Sequence, residues 1–335
     1  MRKLYILGMI LGMYATFSAC NDEWKDELYT QMLSFKAPLG DNGLSEIYVR
    51  YQPDGTGIYQ LPVIVSGSKS NSRNIDAKIA VDEDTLRILN QEKFPVGRQD
   101  LWYVLAEQHY SFESNICHIP AGENIQLYPI HFNFNGLELD EKYVLPLTIE
   151  EDPSYVQNKY KGRYKALLGV NLFNDYSGTY NTTLMNIYIE GTTTDPAKVD
   201  TRLARVVDEN TIFFYAGSTW VEDENRSRYK VFVEFEEGTE DEEGTIKGKL
   251  RLYGDEGEPG INIRPLGECK YEKRIIQHET IKYMERHLTT LELSYKYTDV
   301  TSNPDYPITY EVKGSMTMER QINPLIPDED QAIEW

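Results

Sequence analysis

The side chains in this sequence able to do chemistry are its carboxylates, histidines, cysteines and tryptophans. Glycoside hydrolysis needs two carboxylates held at a fixed separation across a sugar. With 54 Asp and Glu among 335 residues, their presence alone decides nothing. The sequence contains no DxxDxDxE run, no GxSxG elbow, no HExxH and no GxxxxGK[ST]. Its five histidines lack metal-ligand spacing. Glu240-Asp-Glu-Glu243 and Asp255-Glu-Gly-Glu258 offer hard oxygen ligands for calcium. Neither has the spaced carboxylates of an EF-hand loop, so both read as solvated hairpin tips. No catalytic residue, metal ligand or cofactor is expected.

Sugar binding makes a different demand. A flat exposed aromatic stacks on the apolar face of a pyranose, and neighbouring Asn, Asp, Glu or Arg side chains bond its hydroxyls. Such groups belong on loops of a rigid scaffold. Ala216-Gly-Ser-Thr-Trp-Val-Glu-Asp-Glu-Asn-Arg226 fits. Trp220 follows the apolar Phe213-Phe-Tyr215 and precedes a strand beginning near Tyr229, with Asp223, Asn225 and Arg226 as hydroxyl partners. Trp220 is either a stacking platform or a cover over one end of a core. Trp102, between Leu101 and Tyr103-Val104, reads as core.

A third chemistry lies at the start of the chain. Arg2 and Lys3 precede an uncharged apolar run from Leu4 to Tyr14, and mostly small residues lead to Phe17-Ser18-Ala19-Cys20. Residues 1–19 therefore read as a signal peptide, too short in its apolar part to span a bilayer. The Cys20 position resembles a bacterial lipobox, with Phe17 in place of the commoner Leu. The resemblance implies that the Cys20 thiol carries diacylglycerol and its amine a further acyl chain, an anchor that holds stably where one chain would not. Asn21, Asp22 and Glu23 resemble the acidic signal that sends lipoproteins to the outer face of the outer membrane.

The formal charge is −20, from 34 basic and 54 acidic residues. Cleavage before Cys20 would remove Arg2 and Lys3 and no acid, deepening the excess. Such a surface repels phosphate backbones, and no Lys/Arg cluster opposes it, so nucleic acid is not a partner. Once Cys20 carries lipid, Cys117 and Cys269 remain, too few for a disulfide framework or a zinc site. Cys117 reads as a small buried thiol.

The abundance of Tyr (25) with 11 Phe and 4 Trp favours sheets. Residues 20–33 form an acidic tether. Over 34–173, Leu61, Val63 and Val65 share one strand face, and Ile75, Ala77, Ile79 and Val81 another. Turn residues intervene at Pro53-Asp54-Gly55, Ser66-Gly67-Ser68 and Pro120-Ala121-Gly122. About seven such strands predict an immunoglobulin-like β-sandwich. Asp82–Asn90 predicts a short helical turn. Over 174–322 the alternation is cleaner: Tyr229, Val231, Val233 and Phe235 oppose Lys230, Glu234 and Glu236, and Leu291, Leu293, Tyr295 and Tyr297 oppose Thr290, Glu292, Ser294 and Lys296. One apolar and one wet face per strand predicts an antiparallel meander. Closure removes its edges, so a lipocalin/calycin-like barrel is expected, with a second sandwich as alternative. Residues 323–335 read as a loose acidic tail.

Five stretches of the first domain carry a family resemblance. They are Tyr51-Gln-Pro-Asp-Gly-Thr-Gly-Ile-Tyr59, Leu61-Pro-Val-Ile-Val-Ser-Gly-Ser68, Val81-Asp-Glu-Asp-Thr-Leu86, Ile119-Pro-Ala-Gly122 and Lys142-Tyr-Val-Leu-Pro-Leu-Thr-Ile149. Together they resemble the N-terminal domain of surface lipoproteins from glycan-utilisation loci, including some family-18 endo-β-N-acetylglucosaminidases. Tyr176-Ser-Gly-Thr-Tyr180, Leu293-Ser-Tyr-Lys-Tyr297 and Val312-Lys-Gly-Ser-Met-Thr-Met318 resemble a companion domain of unknown function. The resemblance implies membership of a starch-utilisation-like system and supplies no catalytic residue. The chain lacks the strand–helix alternation of a (β/α)8 module.

These readings converge on a non-catalytic glycan-binding lipoprotein, lipid-anchored in the outer membrane and exposed at the cell surface. It would capture oligosaccharide or polysaccharide for an outer-membrane importer and touch the membrane through its N-terminal lipid only. An adhesin or assembly component, or a glycan-processing enzyme with an unrecognised site, are the alternatives. Cells fed labelled palmitate should label the wild-type chain and not the Cys20→Ala variant; label on the variant would remove the anchor.

Overall fold

The computed structural model describes residues 29–255 and 260–326. Cys20, Asn21, Asp22 and Glu23, the signal peptide, most of the tether, the tail from residue 327 and Glu256–Glu258 of the second acidic run lie outside them.

The fold is all-β, a sandwich followed by a closed barrel. The first part contains β1 (Met32–Phe35), β2 (Ser45–Arg50), β3 (Thr56–Ser66), β4 (Ile75–Val81), α1 (Glu83–Lys93), β5 (Val104–Leu105), β6 (Tyr110–Ser111), β7 (Ile116–Ile119), β8 (Ile125–Asn133), β9 (Tyr143–Ile149) and β10 (Lys165–Phe173). One sheet runs β1-β3-β8-β6 and the other β2-β10-β9-β4-β7, with β5 beside β9. Leu61, Val63 and Val65 face Ile75, Ala77 and Ile79 through one core, all of them buried. Gly55, at φ +76°, closes the turn after Pro53, where its N–H bonds the Gln52 carbonyl at 2.8 Å. The helix is longer than the sequence led us to expect, 11 residues rather than a turn. Asp82 caps it by accepting the Thr85 N–H, and Leu86 packs with Leu44, Tyr103, Val144 and Leu167 in a small core of their own.

The second part contains β11 (Gly178–Asn181), β12 (Asn186–Ile189), β13 (Thr201–Val206), β14 (Thr211–Tyr215), β15 (Lys230–Phe235), β16 (Thr239–Glu240), β17 (Ile246–Gly254), β18 (Arg264–Pro265), β19 (Cys269–Gln277), β20 (Glu285–Asp299) and β21 (Ile308–Ile322). The path β21-β11-β13-β14-β15-β17-β19-β20 returns to β21, closing eight strands. An eight-stranded barrel is just wide enough for side chains to fill. Here they do: Tyr180 and Tyr295 are fully buried, and the cavity beside Phe214, Tyr295 and Met316 measures about 20 Å³. That volume is about one water. The barrel is a packed core, not a hollow ligand cup.

Two expectations of burial need correction. Trp102 is only half-buried, while its neighbours Leu101 and Tyr103 take the inward positions. Lys230 was expected on a wet face but is 7% exposed. The cause is that the first domain covers the outer face of β13–β15, so all five residues of β14 are buried and strict alternation fails there. Cys117 and Cys269 are buried free thiols, and burial pushes the Cys117 thiol up to about 11.

The domains are clasped at several points. Asp140, on the loop before β9, pairs with the Lys230 ammonium at 2.5 Å and accepts the Tyr215 hydroxyl at 2.8 Å. In the connector, Asp175 bridges Arg50 (2.9 Å) and Lys273 (2.6 Å). Burial would raise its pKa, but the two cations outweigh it and hold the carboxyl well below the usual range. Arg320 of β21 lies across the Phe173 ring and donates to the carbonyls of Asn174 and Ser177, so the connector is pinned.

Removing one partner of a buried pair strands the other charge. Asp140→Ala should lower unfolding free energy in urea by about 3 kcal/mol. The double variant Asp140→Leu with Lys230→Met should recover most of that loss; equal losses in both would show that the charge pair is not the source.

Candidate functional site

The connections β11–β13 (which contains β12), 216–229 and 300–307 sit at one end of the barrel, because each joins strand ends that the register places together. Loop 216–229 reaches the first domain at Arg98 and Asp100. It starts with Gly217 at φ +58°, where a Cβ would fall 1.7 Å from the Tyr297 hydroxyl. Only glycine fits there. The Ala216 N–H bonds the Tyr229 carbonyl at 2.7 Å, closing the loop at its base. The Tyr229 hydroxyl is bonded to Asp299 and Thr301, tying loop 300–307 to the same base. Burial would raise the Asp299 carboxyl, but hydrogen bonds from Ser302 and Tyr229 hold it at about 2.

The four sequence-predicted side chains separate. Trp220 is 74% exposed, which rules out its role as a cover for the barrel core. Asp223 is exposed, and one of its carboxylate oxygens accepts the Asn225 N–H at 2.8 Å within the loop. Asn225 is half-buried. Arg226 turns inward: it is 8% exposed, donates to the Asp100 carbonyl at 2.9 Å, and stands 3.6 Å from the Asp100 carboxylate. It holds the loop to the first domain and is not displayed to solvent. Arg98 reinforces it, reaching the Glu222 carbonyl at 2.6 Å while paired with Asp100 at 2.9 Å.

That docking makes loop 216–229 one lip of a cleft between the domains. The cleft measures about 560 Å³, within the range of small-molecule sites. Its first-domain wall is the outer face of β2 and β10, where Glu46 pairs with Gly169 and Tyr48 with Asn171. A Cβ at Gly169 would come within 2.5 Å of the Glu46 carboxylate, so glycine makes room for that acid. The floor is Leu44, Tyr103 and Val144; the Asn90 amide fixes Tyr103 through two hydrogen bonds of 2.9 Å to its backbone. Phe94 meets Tyr103 edge-on at 5.3 Å, and the Lys93 ammonium lies 5.2 Å from the Tyr103 ring centre. The barrel wall gives Leu203, Arg205 and Val206, and the lip Val221 and Glu222, next to Trp220.

Aromatic rings, amides and charges thus line one concavity, which suits a polar ligand with apolar faces. Among the described residues no group of three or more His, Cys, Asp or Glu is placed to hold a metal ion. In the first acidic run, Asp241 instead accepts the N–H groups of Glu243 and Thr245 and pairs with Lys247, capping its own hairpin. Sequence reasoning missed the cleft residues because they come from seven separated segments. The available signal was a cation inside an apolar run, as at Lys142 before Tyr143-Val-Leu145 and Arg205 in Leu203-Ala-Arg-Val206.

A profile of the domain of unknown function DUF4973 matches residues 24–153. A second profile, of a C-terminal domain, matches residues 164–317. Among solved structures, a Bacteroides ovatus protein of unknown function is 41% identical, covering 91% of this chain and 100% of its own, at a TM-score of 0.79. A multidomain Bacteroides ovatus protein including DUF1735 is 40% identical over the same shares, at 0.77. An auxiliary nutrient binding protein of Bacteroides thetaiotaomicron is 31% identical, covering 92% of this chain and 100% of its own, at 0.76. No curated protein matches.

The Arg226 clasp has a measurable consequence. Arg226→Ala should raise backbone hydrogen exchange across 216–229 and leave β20 and β21 protected. Unchanged exchange in the loop would show that Arg226 does not hold it.

Proposed function

We propose that this chain, which belongs to the family of two-domain Bacteroides proteins represented by those structures, is a non-catalytic, cell-surface glycan-binding lipoprotein that captures oligosaccharides for an outer-membrane import system. The observation that carries the reading is the interdomain cleft together with Trp220, exposed on the loop that supplies Val221 and Glu222 to its lining. A tryptophan left 74% exposed on a loop whose base and flank are both tied down is a pre-set platform. Ordering cost on binding is small when the scaffold is already rigid. Sugar hydroxyls would find Asn171, Glu46 and Tyr48 on the opposite wall. A relative described as an auxiliary nutrient binding protein supports a binding role in preference to turnover.

Anchorage through Cys20 would place the cleft outside the cell, where oligosaccharides are met before import. Neighbouring importer subunits are the expected receivers. Asp223 and Asn225, farther along the same loop, would bond hydroxyls of a sugar stacked on Trp220; Arg226 contributes by holding the loop.

Affinity electrophoresis and calorimetry against plant and host polysaccharides test the proposal. Trp220→Ala should weaken binding by on the order of 1–3 kcal/mol, by analogy with stacking on aromatic platforms, with an unchanged melting temperature. Undiminished affinity would clear Trp220 of the role, and release of reducing ends by the pure protein would contradict the non-catalytic reading.

A further inference from the structure

The charges of the cleft carry the reading one step further. On this acidic chain, cations are commonly matched: Lys78 with Asp152, Arg251 with Glu234, Arg286 with Glu319 and Lys296 with Glu190 and Glu311. Lys142 and Arg205 both line the cleft, and neither makes an ion pair among the described residues. Arg205 has only the Tyr215 ring, 5.8 Å away, and a long 3.5 Å contact to its hydroxyl. Lys93, at the edge of the same cleft, donates to the Asn42 carbonyl at 2.8 Å and likewise lacks a carboxylate.

Three acids face the same space, and one of them is held by hydrogen bonds. Glu46 accepts amide N–H groups from Asn42 and Asn171. Burial raises the Glu141 carboxyl, and the charge of Arg226 works against that rise. Glu222 is the acid felt at Lys142, against Arg205, Arg226 and Lys93. Lys142 is exposed at the mouth of the cleft, yet partial desolvation first, and then those three cations, draw its ammonium below its ordinary value. The cleft lining thus sets three cations against three acids, and Lys142 and Arg205 stand among them without an ion pair. A cation without a direct carboxylate partner can be met by the anionic group of a ligand.

We propose that the cleft takes an acidic oligosaccharide, whose carboxylate or sulfate is received by Lys142 and Arg205 while its rings lie against Tyr48, Tyr103 and Trp220. The proposal rests on the glycan-binding reading and narrows its substrate class. A volume of about 560 Å³ is far more than a lone inorganic anion needs, and the aromatic lining would be unused by one.

The test is calorimetry of the whole mature chain with matched pairs of ligands. Oligogalacturonate is compared with neutral galactooligosaccharide of the same length, and chondroitin sulfate with its desulfated form, so that carboxylate and sulfate are told apart. At least one acidic member should bind more tightly than its neutral partner, and raised salt should erode the difference. Lys142→Gln, alone and with Arg205→Gln, should weaken the acidic ligand by at least about tenfold and spare the neutral one. Equal affinity within both pairs, or an unaltered acidic affinity in the double variant, overturns the charge assignment and leaves glycan binding standing. Poly-L-glutamate bound as tightly as oligogalacturonate overturns the sugar. Binding of no carbohydrate at all removes this inference together with the reading beneath it.

Discussion

The architecture turns on a carboxylate of the first domain reaching a lysine on the outside of the barrel. Asp140 meets Lys230 and Tyr215 at a place where neither charge has much water. A lone buried ammonium would be expensive, so the pair stands only while the two domains are docked. Docking in turn buries the outer face of β13–β15 and stations loop 216–229 against Asp100. The cleft is what remains open between surfaces already fixed in place. Its shape is a consequence of the clasp, not of any one domain.

This explains why the site is not inside the barrel. Eight strands enclose too little space for a ligand once Tyr180, Phe214, Tyr295 and Met316 are accommodated. The cavity beside Phe214, Tyr295 and Met316 and the cleft differ by more than an order of magnitude, about 20 against about 560 Å³. The barrel serves as a rigid wall and as the holder of a loop. The connector offers no hinge, since Asp175 and Arg320 are each bonded across it.

Much of the fold was legible because period-two patterning is local. Leu291, Leu293, Tyr295 and Tyr297 announce their strand and its inward face without reference to anything distant. The pattern fails where a third surface intervenes. Lys230 and Phe232 lie on a face that is wet in an isolated barrel and dry in this chain. The site was less legible for the same reason: Tyr48, Tyr103, Lys142 and Arg205 converge through tertiary packing that no spacing rule encodes. Trp220 was readable as a loop tryptophan, but whether it faced core or solvent depended on Gly217 and the Arg226 clasp. Arg226 itself looked like a hydroxyl partner because sequence does not reveal that a neighbouring carbonyl claims it.

The most direct test of the account maps where sugar touches the intact chain. Hydrogen–deuterium exchange of the mature protein, with and without an oligosaccharide that it binds, should show added protection at 46–48, 139–144, 203–206 and 220–222 together. Protection confined to one domain, or falling on the strands opposite the clasp, would contradict a cleft formed between two docked surfaces.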